Sequence, residues 1–295
     1  MPSLAAALAA GPIVLDGGLS TELESRAADV GSALWSARLL RDDPAAIVAA
    51  HAAFAAAGAQ VATTASYQAT VEGFGAEGIG ETEALRLIAS SVALARRGQE
   101  QGKGSGWVAG SVGPYGAMLA DGSEYTGAYV AAVGVAQLRA FHRPRMALLI
   151  DAGADVLACE TVPAAAEAEA LVAEAQSLGV PIWLSLTTVL DADGVPRTRR
   201  GERAADVYAM TRDVEEVIAV GVNCTAPGAV SATVEAAAAT GKPVVGYPNS
   251  GETWDAGARR WTGAPGVLPD DVSAWTAAGN GRSPASARMG SPGRA

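Results

Sequence analysis

Residues 151–163 read DAGADVLACETVP, and this short stretch contains the helix end and the strand of one unit of the fold. Gly153 stands where a helix would end, because glycine enters the left-handed region without a Cβ penalty. Residues 155–161 then form a nearly continuous apolar run ending in an acid. Such a run is expected of a strand covered on both faces. Cys159 and Glu160 are neighbours, so strand alternation sends them to opposite faces: if the acid points inward, the thiol packs toward helices.

Working outward, the same unit recurs. Apolar runs at residues 13–18, 60–66, 107–112, 181–188, 217–224 and 243–249 bring the total to seven β-rich segments separated by helix-compatible sequence. Alternation of this kind specifies a parallel sheet. Residues 42–57 place Ile47, His51 and Phe54 on one helical face, and residues 81–97 do the same with Leu85, Ile88, Val92 and Ala95. Gly58, Gly179 and Gly241 repeat the punctuation of Gly153. The pattern predicts a (β/α)8 TIM barrel, incomplete at its eighth strand. A Rossmann sheet is the weaker alternative, since no G-x-G-x-x-G turn follows any strand.

Composition narrows the function. The chain has 295 residues, 49% of them hydrophobic, enough for one large core. Its formal charge of −10 leaves no basic face for a phosphate backbone, which argues against nucleic acid and for a small-molecule partner. The two cysteines, Cys159 and Cys224, provide no disulfide framework and fit a cytoplasmic location. Residues 4–10 are apolar without a preceding Lys or Arg, which reads as a leading helix rather than a signal peptide. The most apolar window, residues 45–59, is interrupted by His51 and too short to span a membrane.

In a barrel of this type, reactive groups sit at the C-terminal strand ends. Those ends carry Asp16-Gly17-Gly18, Cys159-Glu160-Thr161, Val222-Asn223-Cys224 and Tyr247 through Glu252. Two acids, a thiol and an amide are therefore expected to converge. Cys159 reads as core, His51 as a core or rim histidine, and His142, just before a proline expected to disturb a helix start, as packing.

The ordered segments LDGGLSTELE (15–24), TTASYQAT (63–70), GSVGPYGAMLADGSEYTG (110–127), FHRPRM (141–146), DAGADVLACETVP (151–163), GVNCTAP (221–227) and YPNSGE (247–252) resemble the homocysteine S-methyltransferase family, in particular its bacterial S-methylmethionine-using branch. The resemblance implies methyl transfer from a sulfonium donor, S-methylmethionine or S-adenosylmethionine, to zinc-activated homocysteine, giving methionine. It further implies that Cys224 is a zinc ligand and catalytic, and that Asp16 and Glu160 hold the homocysteine ammonium. Backbone around Gly17, Gly18 and Asn223 would take its carboxylate or shape the pocket. Tyr67, Gln68, Glu124, Asn249, Ser250 and Glu252 become mouth residues.

The family's zinc is held by three cysteines, two of them in a Gly-Gly-Cys-Cys turn that this sequence lacks. One thiolate does not hold a catalytic zinc, which uses three protein ligands. Impaired metal binding and activity are therefore expected, with a non-catalytic barrel that binds an amino acid or sulfonium compound as the alternative. Residues 1–278 are expected to form the barrel domain, with a short helical candidate at 269–278. Residues 279–295, rich in Gly, Ser, Arg and Pro, read as a tail without strand pattern, suggesting a shift of reading frame near Gly279. Open sheet edges and low solubility would follow.

Overall fold

The computed structural model of the chain describes residues 1–26, 36–251, 253–255 and 260–262. Helix α1 (Leu4–Ala10) is followed by α2 (Leu19–Ser25), α3 (Ser36–Asp42) and α4 (Pro44–Ala56). Strand β1 (Val61–Thr63) leads to α5 (Val71–Ala76) and α6 (Glu81–Gln101), and β2 (Trp107–Val112) to α7 (Tyr115–Leu119). Two 3-10 turns, Ser123–Tyr125 and Ala128–Ala131, precede α8 (Val135–Asp151). Then come β3 (Val156–Val162), α9 (Ala165–Leu178), β4 (Ile182–Leu186), β5 (Thr188–Leu190) and β6 (Pro196–Thr198). The remainder comprises α10 (Ala204–Ala209), β7 (Val217–Asn223), α11 (Pro227–Ala238), β8 (Val244–Tyr247), β9 (Thr253–Asp255) and β10 (Arg260–Thr262).

Six strands form one parallel sheet in the order β1-β2-β3-β4-β7-β8, curled as part of a (β/α) barrel. The pleat sorts side chains into two compartments. Val61, Trp107, Ala109, Val156, Ala158, Trp183, Ala219 and Val245 meet inside the curve, whereas Val108, Val112, Leu157, Cys159, Val162, Ile182, Leu184 and Val220 face the helical layer. Helix α1 closes the floor. Leu4 packs into the inner cluster, and the indole N–H of Trp107 donates to the Pro2 carbonyl at 3.0 Å. Burial of these apolar faces supplies the main folding drive.

Several sequence expectations are corrected. Residues 13–18 do not form a strand: backbone pairing there is a parallel bridge between Leu15 and Val61, with Asp16 N–H donating to the Val61 carbonyl and Gln60 N–H to the Val14 carbonyl. Gln60 competes for the ladder, its side-chain oxygen accepting from Val14 N–H at 3.0 Å. The run at 181–188 ends at Leu186, and Thr188 begins an antiparallel hairpin with β6. Pro144 lies inside α8 rather than near its start. The buried stripe of α6 runs through Ala84, Leu87, Ile88, Ser91, Val92 and Ala95, leaving Leu85 half-buried.

Gly58, Gly153, Gly179 and Gly241 all have positive φ, as the punctuation required. Residues 269–278, the tail 279–295 and Glu252 lie outside the described residues, as does the end of the expected barrel domain. No described helix is long and apolar enough to cross a membrane.

Candidate active site at the strand ends

Asp16 follows the bridge to β1 and is held by that strand. Its Oδ2 accepts from Thr63 N–H at 2.6 Å and its Oδ1 from the Thr63 hydroxyl at 2.8 Å. Burial nevertheless raises its pKa to about 7, and the charge of Glu160 pushes the same way. His51 Nδ1 lies 4.0 Å from Asp16 Oδ2, and burial lowers its pKa to about 4. Gly17 leaves room for the Phe54 ring, which a Cβ would meet at 2.8 Å, and Gly18 caps α2.

Glu160 points into the barrel from β3. It accepts from the Ser111 hydroxyl and lies near the Tyr247 hydroxyl, while burial raises its carboxyl above the ordinary range. The Tyr247 hydroxyl also contacts Ser185 at 3.0 Å and accepts from the Trp183 indole at 3.0 Å. Asn223, at the end of β7, binds three groups. Its Oδ1 accepts from Thr161 N–H and the Ser185 hydroxyl, both at 2.7 Å, and its Nδ2 donates to the Thr161 hydroxyl at 2.7 Å.

Thr161 and Cys224 both have left-handed backbone, at φ +60° and +46°. This conformation is uncommon for residues with a Cβ, and here the paired amide of Asn223 spans the two turns. The half-buried Cys224 thiol meets the side chains of Thr161, Tyr125 and Asn223, within electrostatic reach of Glu160. Burial raises its pKa to about 11, so it stands as a neutral thiol at neutral pH.

Among the remaining sequence candidates, Tyr67 has a buried hydroxyl near Thr161 and Cys224 that makes no well-formed hydrogen bond. Gln68 donates to the Ala117 carbonyl at 3.1 Å, leaving its buried Oε1 without a partner. Glu124 is buried, with Oε2 unpartnered. Asn249 is half-buried, its N–H bound to the Thr225 carbonyl, and Ser250 is exposed.

Sequence reasoning did not assign Thr63, Ser111, Tyr125, Thr161, Ser185, Arg199 or Tyr247 a role. Five of them, Thr63, Ser111, Thr161, Ser185 and Tyr247, stand at or one residue before the end of a strand of the parallel sheet. Their position was the available signal.

The donor set does not by itself fit zinc. Among the described residues, no three His, Cys, Asp or Glu side chains gather as a metal site, and Cys159 lies in the helix-facing core, its pKa raised by burial. Cys224 is one ligand where a catalytic zinc needs three.

A curved parallel sheet whose C-terminal ends gather two buried acids, a carboxamide and a thiol is a small-molecule site of the kind that (β/α)-barrel enzymes carry. The sequence pattern of the homocysteine S-methyltransferase family matches residues 13–280, and the chain belongs to that family. It is 42% identical over 263 residues to homocysteine S-methyltransferase YbgG of Bacillus subtilis, covering 85% of this chain and 82% of that protein. It is also 42% identical over 278 residues to homocysteine S-methyltransferase of Escherichia coli, covering 90% and 88%. The metallated crystal structure of the homocysteine methyltransferase MmuM from Escherichia coli superposes with a TM-score of 0.78 at 40% identity, covering 90% of this chain and 88% of that one.

Proposed function

We propose that this chain is built for homocysteine S-methyl transfer, moving a methyl group from a sulfonium donor to the homocysteine sulfur to give methionine. The observation that carries the reading is the convergence of Asp16, Glu160 and Cys224 at one end of the sheet, with the charge of Glu160 felt by both other groups. Asp16 and Glu160 present carboxyls to the substrate ammonium, and a bound cation would favour their ionised forms. Asn223 fixes the turn that presents Cys224. The backbone at Gly17 and Gly18 is the part of this end offered to the substrate's carboxylate, although the space beside their missing Cβ atoms is taken by Phe54 and Thr21.

In the transfer, the homocysteine sulfur forms a bond to the methyl carbon as the donor's C–S⁺ bond breaks. The donor leaves as a neutral thioether, and the thiol proton goes to solvent. The chain's contribution is alignment of the two sulfurs. Zinc would supply the thiolate form of homocysteine when bound, but Cys224 alone does not constitute its site. Impaired metal binding is therefore part of the proposal.

The barrel domain at 1–278 and a cytoplasmic location belong to the same reading, the latter supported by two free cysteines. A second reading, a barrel that binds homocysteine or a sulfonium compound without turnover, is favoured by the single thiol at the site.

Calorimetric titration with homocysteine, metal analysis and an S-methylmethionine-dependent methionine assay with added zinc separate the two. Homocysteine binding with turnover supports the enzyme. Binding with neither zinc nor turnover supports the second reading, and no binding of either substrate sinks both.

A further inference from the structure

Just past the β5–β6 hairpin, the chain brings a guanidinium to the site. Arg199 Nε and Nη2 donate to the Thr187 hydroxyl at 3.2 and 3.0 Å, and that hydroxyl donates to the Cys224 carbonyl at 3.0 Å. Thr187 is fully buried between β4 and β5, so the guanidinium is anchored two hydrogen bonds from the site's thiol residue. It is also in electrostatic contact with Tyr125 and Cys224.

The rest of this wall is acidic or phenolic: Glu124, Glu160, Tyr67, Tyr125 and Tyr247 face the same end. Arg199 makes no ion pair with any of them, unlike Arg197 beside it, which is neutralised by Asp191 at 2.6 Å. A half-buried guanidinium held by a neutral hydroxyl keeps its charge and its Nη1 face for an anion.

Resting on the functional reading above, we propose that Arg199 binds the α-carboxylate of the sulfonium methyl donor, making the site selective for amino-acid sulfonium compounds. In that reading the homocysteine ammonium is already matched by Asp16 and Glu160. The donor enters beside Cys224 from the hairpin side and brings a second carboxylate, for which the acidic wall offers no partner. Arg199 meets it with N–H groups directed by the Thr187 anchor.

The test is isothermal titration of the full chain with three probes: S-methylmethionine, its decarboxylated analogue 3-(dimethylsulfonio)propylamine, and homocysteine. Wild-type protein is expected to prefer S-methylmethionine over the analogue on the order of tenfold or more, the worth of a charge-assisted hydrogen bond. Arg199→Gln should erase that preference while leaving homocysteine and analogue affinities within about twofold. Arg199→Lys, which keeps charge without the fork, should fall between and serves if the Gln variant does not fold.

Equal wild-type affinity for S-methylmethionine and the analogue overturns the proposal. So does a preference retained in both variants, or a loss confined to homocysteine. Failure of wild-type protein to bind homocysteine strikes the functional reading instead.

Discussion

The Asn223 carboxamide grips Thr161 at both ends, accepting from its backbone N–H and donating to its hydroxyl, each at 2.7 Å. This pairing crosses from β7 to β3 over β4 and ties together two left-handed turns on either side of the site. Replacing Asn223 by Ala strands a buried N–H and a hydroxyl, which should destabilise the fold by about 1–3 kcal/mol per unsatisfied group. Urea unfolding measures this loss. Homocysteine affinity should drop more than tenfold (order of magnitude) because the Cys224 turn loses its brace.

Asp16 makes substrate binding pH-dependent. Its pKa near 7 means that a cationic ammonium meets a partly neutral carboxyl at pH 6 and an ionised one at pH 8. Homocysteine affinity should therefore tighten across that range. Asp16→Asn should bind weakly and show a flat profile by calorimetry; an unchanged slope would remove Asp16 from the ammonium site.

Asp16 and His51, 4.0 Å apart, set opposing stability slopes. Asp16 is raised from 3.8 to about 7, so the native state holds its proton more tightly and this group's contribution falls as pH rises through that interval. His51 is lowered from 6.5 to about 4, so its contribution is lost as pH falls from 6.5 toward 4. Asp16→Asn should leave the His51 trend unopposed, giving a steeper rise in melting temperature from pH 4 to 6.5 than wild type. A shallower rise would contradict the assignment.

Behind the sheet, Glu167 accepts from Tyr115 N–H at 2.6 Å, from the Tyr129 hydroxyl, and pairs with His142 Nε2 at 2.9 Å. Arg145 extends this cluster to the Gly113 carbonyl at 2.6 Å and the Tyr67 carbonyl at 3.3 Å. Glu167→Ala leaves several buried donors unpaired and should destabilise the chain by about 3–5 kcal/mol, read as a lower denaturant midpoint.

Gly221 on β7 has no space for a side chain: a Cβ would sit 1.7 Å from the Val245 carbonyl oxygen. Gly221→Ala should destabilise by about 3 kcal/mol or more, since backbone must move. Gly246→Ala, where a Cβ meets nothing within 4 Å, is the control and should change stability by less than about 1 kcal/mol. Thermal melts of the two variants decide this.

Much of the fold was legible because the physics is local. A strand buried on both faces must be apolar throughout, and four helix ends needed glycine's left-handed freedom, so β2, β3 and β7 were readable within a residue or two. The first expected strand failed because ladder formation depends on a partner: Gln60 satisfies Val14 from its side chain, which sequence pattern does not reveal. The β5–β6 hairpin was missed although Asp193-Gly194 carried a turn signal, because Thr188 continued the preceding apolar run. At the site, Asp16, Glu160, Asn223 and Cys224 stood at recognisable strand ends. Arg199 reaches Cys224 only because the hairpin returns the chain to Thr187.

The left-handed turns at Thr161 and Cys224 carry a consequence for chemical density. An extended strand offers a cavity every second side chain, yet each of these ends delivers two in succession: Glu160 with Thr161, and Asn223 with Cys224. Two strands thereby furnish four adjacent functional groups to a space that ordinary pleating would have supplied with two, and replacing either turn with regular extended backbone would swing one of each pair out among the helices.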